Sequence, residues 1–456
     1  MPEILNAELS RLRDSSRELL KELVTPEGIY ASAQIGWEGP YHAWFGRDGA
    51  ITADFILASI EYGGDQELAT VAVNALKNYS KWQGKENNKS IGEEVGKIPH
   101  EIRTEFNAVD TVQHAAGTNA WQWYVDQQDN TLKNWDTADG TSLWTLALLR
   151  SRSRLNLELD DETIGHVRSA LEWIVGNVHS YGGLVGFTGA EMQEGREYSG
   201  LHNQGWKDSE SVYQTSEGEN APHPIKDVLV NAEAWAALSD GAEYFKESDT
   251  AFSHTLQMAA DTIKEKFNSQ NEGFVVDGLD GLAQAIDGTG SQLKQSSVDQ
   301  GAVLWARTER GEVCVDDEMI NTLVKKVMSP EMFNPDAGVR DYARGTVFTH
   351  GTNYHGSPNT YWPFMSGMIA RGMQQGGYEE EARQVMRAFL NAVQTLGTNI
   401  EMFIQDDNDS FEPWSHPDPE IGQKSSREQA WTAAAVYYAT SYLLHKSEVD
   451  SGDTLN

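Results

Sequence analysis

The 456-residue chain is 39% hydrophobic, enough for a large core, and carries a formal net charge of −34 at pH 7. Such a field repels phosphate backbones and anionic lipid, which excludes nucleic acid and membrane surfaces as partners; a neutral or cationic substrate fits, and an anionic one would need a local basic pocket. A single cysteine, Cys314, excludes an intrachain disulfide framework and fits a reducing compartment.

The N-terminal stretch MPEILNAELSRLRDSSRELLKEL has leucines near helical spacing among charges, which predicts a helix over 4–23. It lacks the apolar core of a secretory signal, and no run of about 18 apolar residues occurs. Cytoplasmic residence is therefore expected. Next comes Trp44-Phe45-Gly46-Arg47-Asp48, running into an apolar helix over 51–63. Arg47 and Asp48 would serve as a helix cap and ion pair, or as a clamp on adjacent sugar hydroxyls. A helix follows over 66–83, then a long polar stretch, 84–138, which contains His100 and Glu101. Loops of that length in compact proteins usually line sites. Asp139 precedes a helix over 140–151. Further helices are predicted over 160–178, 225–245, 248–270, 295–309, 316–328, 361–375, 378–397 and 427–445. Gly273–Val276 reads as a short strand.

This inventory is all-α. No linker or composition break divides it, so residues 1–456 are read as a single catalytic domain. About eleven or twelve helices joined alternately by short turns and long loops suggest helix pairs in a closed ring, with the long loops gathered at one end.

The stretch Asn203-Gln204-Gly205-Trp206-Lys207-Asp208-Ser209 combines two amides, an indole, an ammonium and a carboxyl group. Amides hydrogen-bond hydroxyls, an indole offers a flat apolar face, and a carboxyl can transfer a proton. Glycoside cleavage needs a second, facing carboxylate. Glu401, in Asn399-Ile400-Glu401-Met402-Phe403, is the candidate, with Glu210 and Asp139 as competitors. The abundant aromatics, 14 Trp and 16 Tyr, fit a carbohydrate cleft as well as a core. No metal signature is present: there is no HExxH and no cysteine cluster, so no metal and no cofactor is expected.

Seven motifs in order together resemble the amylo-α-1,6-glucosidase type of inverting glycoside hydrolase, related to the glucosidase parts of glycogen-debranching enzymes. They are Trp44–Asp48, Gly96–Arg103, Ala138–Leu143, Gly200–Ser209, Tyr354–Ser357 with Trp362-Pro363, Ile400–Phe403 and Gln429–Trp431. The resemblance implies an (α/α)6 toroid, with Asp208 as general acid and Glu401 as general base. It implies that Arg47 and Asp48 hold the nonreducing-end sugar and that Trp206 and Trp362 line its pocket. Trp44, Phe45, His100, Glu101, Asp139, Asn203, Gln204, Gly205, Lys207, Tyr354, His355 and Trp431 complete the expected substrate-binding set. The chain departs from the pattern at Val228-Leu229-Val230-Asn231, where a carboxylate is usual, and at the inserted Pro358-Asn359-Thr360-Tyr361. The expected activity is release of glucose from a small α-glucoside or oligosaccharide. The alternatives are a sugar epimerase using His100 and His355, a phosphorolytic enzyme on the same scaffold, and a noncatalytic sugar-binding protein. Oligomeric state is not legible.

Overall fold

The structure is a computed structural model. It describes residues 4–33, 41–104, 123–270, 272–276, 281–346, 354–406, 408–418 and 423–451. Twelve α-helices run through these residues: α1 (Asn6–Leu23), α2 (Gly46–Ser59), α3 (Gln66–Tyr79), α4 (Gly140–Leu155), α5 (Asp161–Ser180), α6 (Val228–Phe245), α7 (Thr250–Phe267), α8 (Val298–Ala302), α9 (Asp317–Val327), α10 (Pro363–Gln375), α11 (Glu379–Leu396) and α12 (Ala430–Ser451).

Even- and odd-numbered helices do different jobs, and their sequences show why. Every residue of α2 is buried, as are eleven of the thirteen in α10. A helix apolar or small on every side must be surrounded, so these form the inner layer. By contrast α1, α9 and α11 bury one stripe and expose charge on the other face. The inner helices close a ring in the order α2–α4–α6–α8–α10–α12 and back to α2, and each outer helix packs on an inner one, with α1 on α12. This is the (α/α)6 toroid.

The connections alternate as their lengths suggest. Inner-to-outer links are short, such as 60–65, 156–160 and 376–378. Outer-to-inner links are long, such as 181–227 and 397–429. The N-termini of the inner helices therefore share one end of the ring with all the long loops. Those loops carry short antiparallel pairings, including Trp44–Phe45 on Glu101–Arg103, which in turn pairs Thr131–Asn134.

At the opposite end a buried ion cluster ties three inner helices. Asp54 of α2 accepts hydrogen bonds from Arg371 of α10 and from Arg150 of α4, the latter at 3.1 Å. Arg150 also donates to the Arg307 carbonyl at 2.6 Å.

Two expectations are corrected. The helix expected over 295–309 is only Val298–Ala302, because the chain then tightens into i→i+3 turns, with Leu304 N on Gly301 O and Trp305 N on Ala302 O. That tightening lays backbone against α10: a Cβ on Gly372 would sit 2.5 Å from the Leu304 carbonyl carbon and 2.6 Å from Trp305 N. Main chain cannot move aside as a side chain can, so Gly372→Ala is expected to destabilise the fold by about 1–3 kcal/mol, the scale of overpacking, read as a lowered urea midpoint. The strand expected at Gly273–Val276 is a single bridge, Val275 to Leu282. Conversely, the loop strands of two to four residues, such as Val125–Asp126, are too short to show periodicity in the sequence. Part of the long polar stretch, 105–122, lies outside the described residues.

Candidate active site

The loops feeding α2, α4, α6, α10 and α12 each deliver part of one cluster. Arg47 stands in the first turn of α2, Asp139 immediately precedes α4, and Asp208 lies in the loop before α6. Asp208 and Asp139 meet at Arg47. Its Nε donates to Asp139 Oδ2 at 2.7 Å and one terminal nitrogen to the Gly205 carbonyl at 2.8 Å, while the other lies 3.5 Å from Asp208 Oδ2. Thr137 Oγ1 donates to the second Asp139 oxygen at 2.6 Å. Asp139 is thereby committed to holding Arg47, which fits a positioning role better than that of a free base.

Asp208 keeps 26% of its side chain exposed and makes only loose contacts. Its Oδ1 is 3.9 Å from His355 Nδ1, which is itself hydrogen-bonded to Ser209 Oγ at 2.8 Å. Burial pushes the Asp208 carboxyl up to about 6, against the pull of Arg47. The His355 ring is held well below its usual value by burial and by Lys207 and Arg47, so it is neutral.

Glu401 is 2% exposed and tightly bound. Tyr354 OH donates to Oε1 at 2.6 Å and Ser426 N donates to Oε2 at 2.8 Å. Burial raises this carboxyl to about 7, opposed by those two donors and assisted by the charge of Asp208. The segment Pro358–Tyr361 bears directly on this placement. Thr360–Tyr361 is a strand paired with Phe403–Gln405, in register Tyr361 to Phe403, and the two rings stack at 5.2 Å. Thr360 and Tyr361 thus brace the segment that follows Glu401.

An aromatic wall joins the two carboxyls. Trp362, at the N-cap of α10, stacks on His355 at 4.9 Å and meets Trp206 and Tyr354 edge-on at 5.4 and 5.2 Å. Trp431 stacks on Phe364 at 3.9 Å, and Phe364 meets Trp206 edge-on. Tyr41 reaches Tyr354 at 3.0 Å between hydroxyls and leans on Phe45, whose ring stands edge-on to His100. His100 is neutral, held well below its usual value by burial and by Arg47 and Arg103, and its Nδ1 has no hydrogen-bond partner among the described residues.

Asp48 is 6% exposed, and its side chain makes no hydrogen bond or ion pair among the described residues. Burial pushes it up to about 8; Arg47 opposes this, while Glu401, Asp208 and Asp139 add to it. Asp48, Asp208 and Glu401 therefore share one electrostatic environment.

Other expected site residues are employed elsewhere. Lys207 is 1% exposed and lies 2.8 Å from Asp341, 3.1 Å from Asp299 and 3.8 Å over the Tyr342 ring. Trp206 Nε1 donates to Asp299 Oδ1 at 2.5 Å. Asp299 thus anchors the two residues that precede Asp208. The Asn203 amide donates to the Ser209 carbonyl at 2.7 Å, and the Gln204 amide donates to the Thr188 carbonyl at 2.9 Å. Both brace their own loop. Trp44 alternates with Phe45 on its strand and packs against Gly28, where a Cβ would meet the indole at 2.7 Å. Glu101 is bonded to Arg103.

Tyr41, Ser426 and Asp299 escaped the sequence reading. Ser426 acts through its main-chain N–H, which residue type does not signal. Asp299 was findable, because Ser297 and Gln300 form a capping box around it. Three clefts among the described residues, of about 1110, 690 and 360 Å³, have linings that contain neither Asp208 nor Glu401.

No protein-family model matches the chain, and no curated protein matches it in sequence. Solved structures do. A glycosidase in its wild-type form superposes with a TM-score of 0.54 at 14% identity, covering 96% of this chain and 98% of that one. The GH63 mannosylglycerate hydrolase of Thermus thermophilus, in complex with glucose, gives a TM-score of 0.57 at 13% identity, covering 94% and 99%. At such identities the likeness establishes the helical-toroid fold, over essentially the whole of both chains. No helix of the described residues is long and apolar enough to cross a membrane.

Proposed function

We propose that the chain is an inverting glycoside hydrolase that releases glucose from an α-glucoside. One observation carries the reading. Two carboxyls far apart in sequence, Asp208 and Glu401, border a single aromatic wall, one loosely held and one clamped as an acceptor. Their roles follow from their bonding. Both Glu401 oxygens accept hydrogen bonds, from Tyr354 and Ser426, which suits the ionised form of a general base. Asp208 accepts no short bond and keeps part of its surface open, so it can carry a proton to a leaving oxygen. The catalytic step would have Asp208 protonate the glycosidic oxygen while Glu401 takes a proton from water attacking the opposite ring face.

The unbonded Asp48, beside Arg47, would grip a sugar hydroxyl, and the buried Trp362 and Trp206, packed on His355, Tyr354 and Phe364, would back the pocket wall. The resemblance of the seven motifs favours glucose, and the glycosidases of like fold agree with the reaction class. The test is NMR of the first-formed sugar from a panel of α-glucosides: release of the β-anomer is expected, and release of the α-anomer would overturn inversion. Loss of turnover in His100→Ala with a mild effect of Glu401→Gln would point instead to epimerisation.

A further inference from the structure

We infer that Asp299 is the positioning residue of the acid step: by holding Trp206 and Lys207 it aims Asp208 at the leaving oxygen, a role that rests on the hydrolase reading above. A carboxyl that must keep and then give a proton cannot be tied down by short hydrogen bonds to its charged form, because these favour ionisation. Asp208 meets that demand, since its contacts are the loose ones to Arg47 at 3.5 Å and His355 at 3.9 Å. Its direction must then come from the chain on either side. On one side Ser209 is fixed, its hydroxyl to His355 Nδ1 at 2.8 Å and its carbonyl to the Asn203 amide at 2.7 Å. On the other side both preceding side chains end on Asp299. Trp206 Nε1 donates to Oδ1 at 2.5 Å, and Lys207 Nζ lies 3.1 Å from Oδ2.

Asp299 is itself a rigid anchor. It is buried in the inner helix α8, whose start is closed by the Ser297–Gln300 capping box and by Val298 N on the Asp341 carbonyl at 2.9 Å. Its Oδ2 also accepts from Ser297 Oγ at 2.7 Å and from Gln284 Nε2 at 3.3 Å. Asp341 is the second carboxylate at Lys207, 2.8 Å away, but among the described residues only Asp299 is bonded to Trp206 as well. The position calls for a carboxylate. Both of its oxygens accept, whereas an amide of the same shape accepts at one end and donates at the other. Asp299→Asn must therefore set donor against donor, at Trp206 or at Lys207, with almost no change of volume. Asp341 remains to pair Lys207, so no buried charge is orphaned and the variant is expected to fold.

The experiment compares full-length wild type and Asp299→Asn on an unactivated α-glucoside and on 4-nitrophenyl α-glucoside, which needs little help from an acid. On the unactivated substrate kcat is expected to fall at least about tenfold with KM within about threefold, the mark of an interaction made in the transition state. On the nitrophenyl substrate kcat should stay within about threefold of wild type. An equal loss on both substrates would show a merely structural role and overturn the inference, as would wild-type kcat on both. The bond is also read directly, from the indole N–H resonance of Trp206, assigned through Trp206→Phe. Charge-assisted hydrogen bonds are about twice as strong as neutral ones, so the resonance should move upfield in Asp299→Asn; an unchanged resonance overturns the inference. If Asp299→Asn fails to fold, Trp206→Phe, which removes the indole donor and keeps an aromatic ring, must show the same dependence on the leaving group. If wild type cleaves neither glucoside, the hydrolase reading falls and takes the acid step with it, whereas cleavage by wild type with an equal loss in the variant removes Asp299 alone.

Discussion

Glu401→Gln and Asp208→Asn are each expected to lower kcat by at least about a hundredfold while leaving the thermal midpoint within a few degrees of wild type, the lower bound being the scale of a single general acid or base. In Glu401→Gln the new amide can still accept from Tyr354 or Ser426 through its oxygen, so the fold is retained while the base is lost. In Asp208→Asn the amide cannot donate a proton as an acid does, but it fills the same space beside Arg47. The two variants should separate on a substrate with an activated leaving group such as 4-nitrophenol. That substrate needs little protonation, so it should rescue Asp208→Asn more than Glu401→Gln. Near-normal turnover by either variant on an unactivated glucoside would remove that residue from its role.

The wild-type pH profile follows from the same pair. With the carboxyls raised to about 6 for Asp208 and about 7 for Glu401, the pair holds one proton between those values, while Asp48, raised to about 8, keeps its own. The productive form, Asp208 protonated and Glu401 ionised, is the minor tautomer of that one-proton state, since the higher value belongs to Glu401. Activity should therefore peak between about pH 6 and pH 7 and fall on both sides, with limbs that belong to the pair and not to either residue.

Asp54→Ala is expected to cost about 3–5 kcal/mol of stability, the scale for removing one partner of a buried ion pair. It would leave Arg150 and Arg371 buried without their shared carboxylate, and these three residues tie α2, α4 and α10. Asp54 itself is held well below its usual value of 3.8, because Arg371 and Arg150 outweigh the opposing effect of burial. Its contribution is fully present above pH 3.8 and is lost as pH falls toward the folded value. Urea unfolding at pH 7 should show the full difference between Asp54→Ala and wild type, and the gap should narrow below about pH 4. A difference under about 1 kcal/mol at pH 7 would show that the cluster is not supporting the ring.

Much of the architecture was legible because inner and outer helices differ in composition. ITADFILAS can only be surrounded, and EEEARQVMRAFLNAVQTL can only lie on a surface. Asp208 and Glu401 were legible as candidates because their motifs concentrate groups that handle sugars. The destinations of their neighbours were not. Lys207 sits one residue from Asp208, yet its ammonium is claimed by Asp299 and Asp341, which lie far along the chain. The amides of Asn203 and Gln204 satisfy carbonyls of their own long loop. Buried main-chain oxygens need donors, and that demand outranks solvent-facing uses. The shortness of α8 was hidden too, because an apolar run does not record whether its turns close at i+4 or i+3.

The packing of α1 on α12, and of α12 on α2, has a consequence for how the polypeptide is made. During synthesis, α1 and α2 have no permanent neighbour on one flank until residues 430–451 arrive. The closing contacts join segments far apart in sequence, so they form last and slowly. Until then the apolar flank of α2 is open to self-association, and chaperone dependence during synthesis should ease only when the twelfth helix has been released.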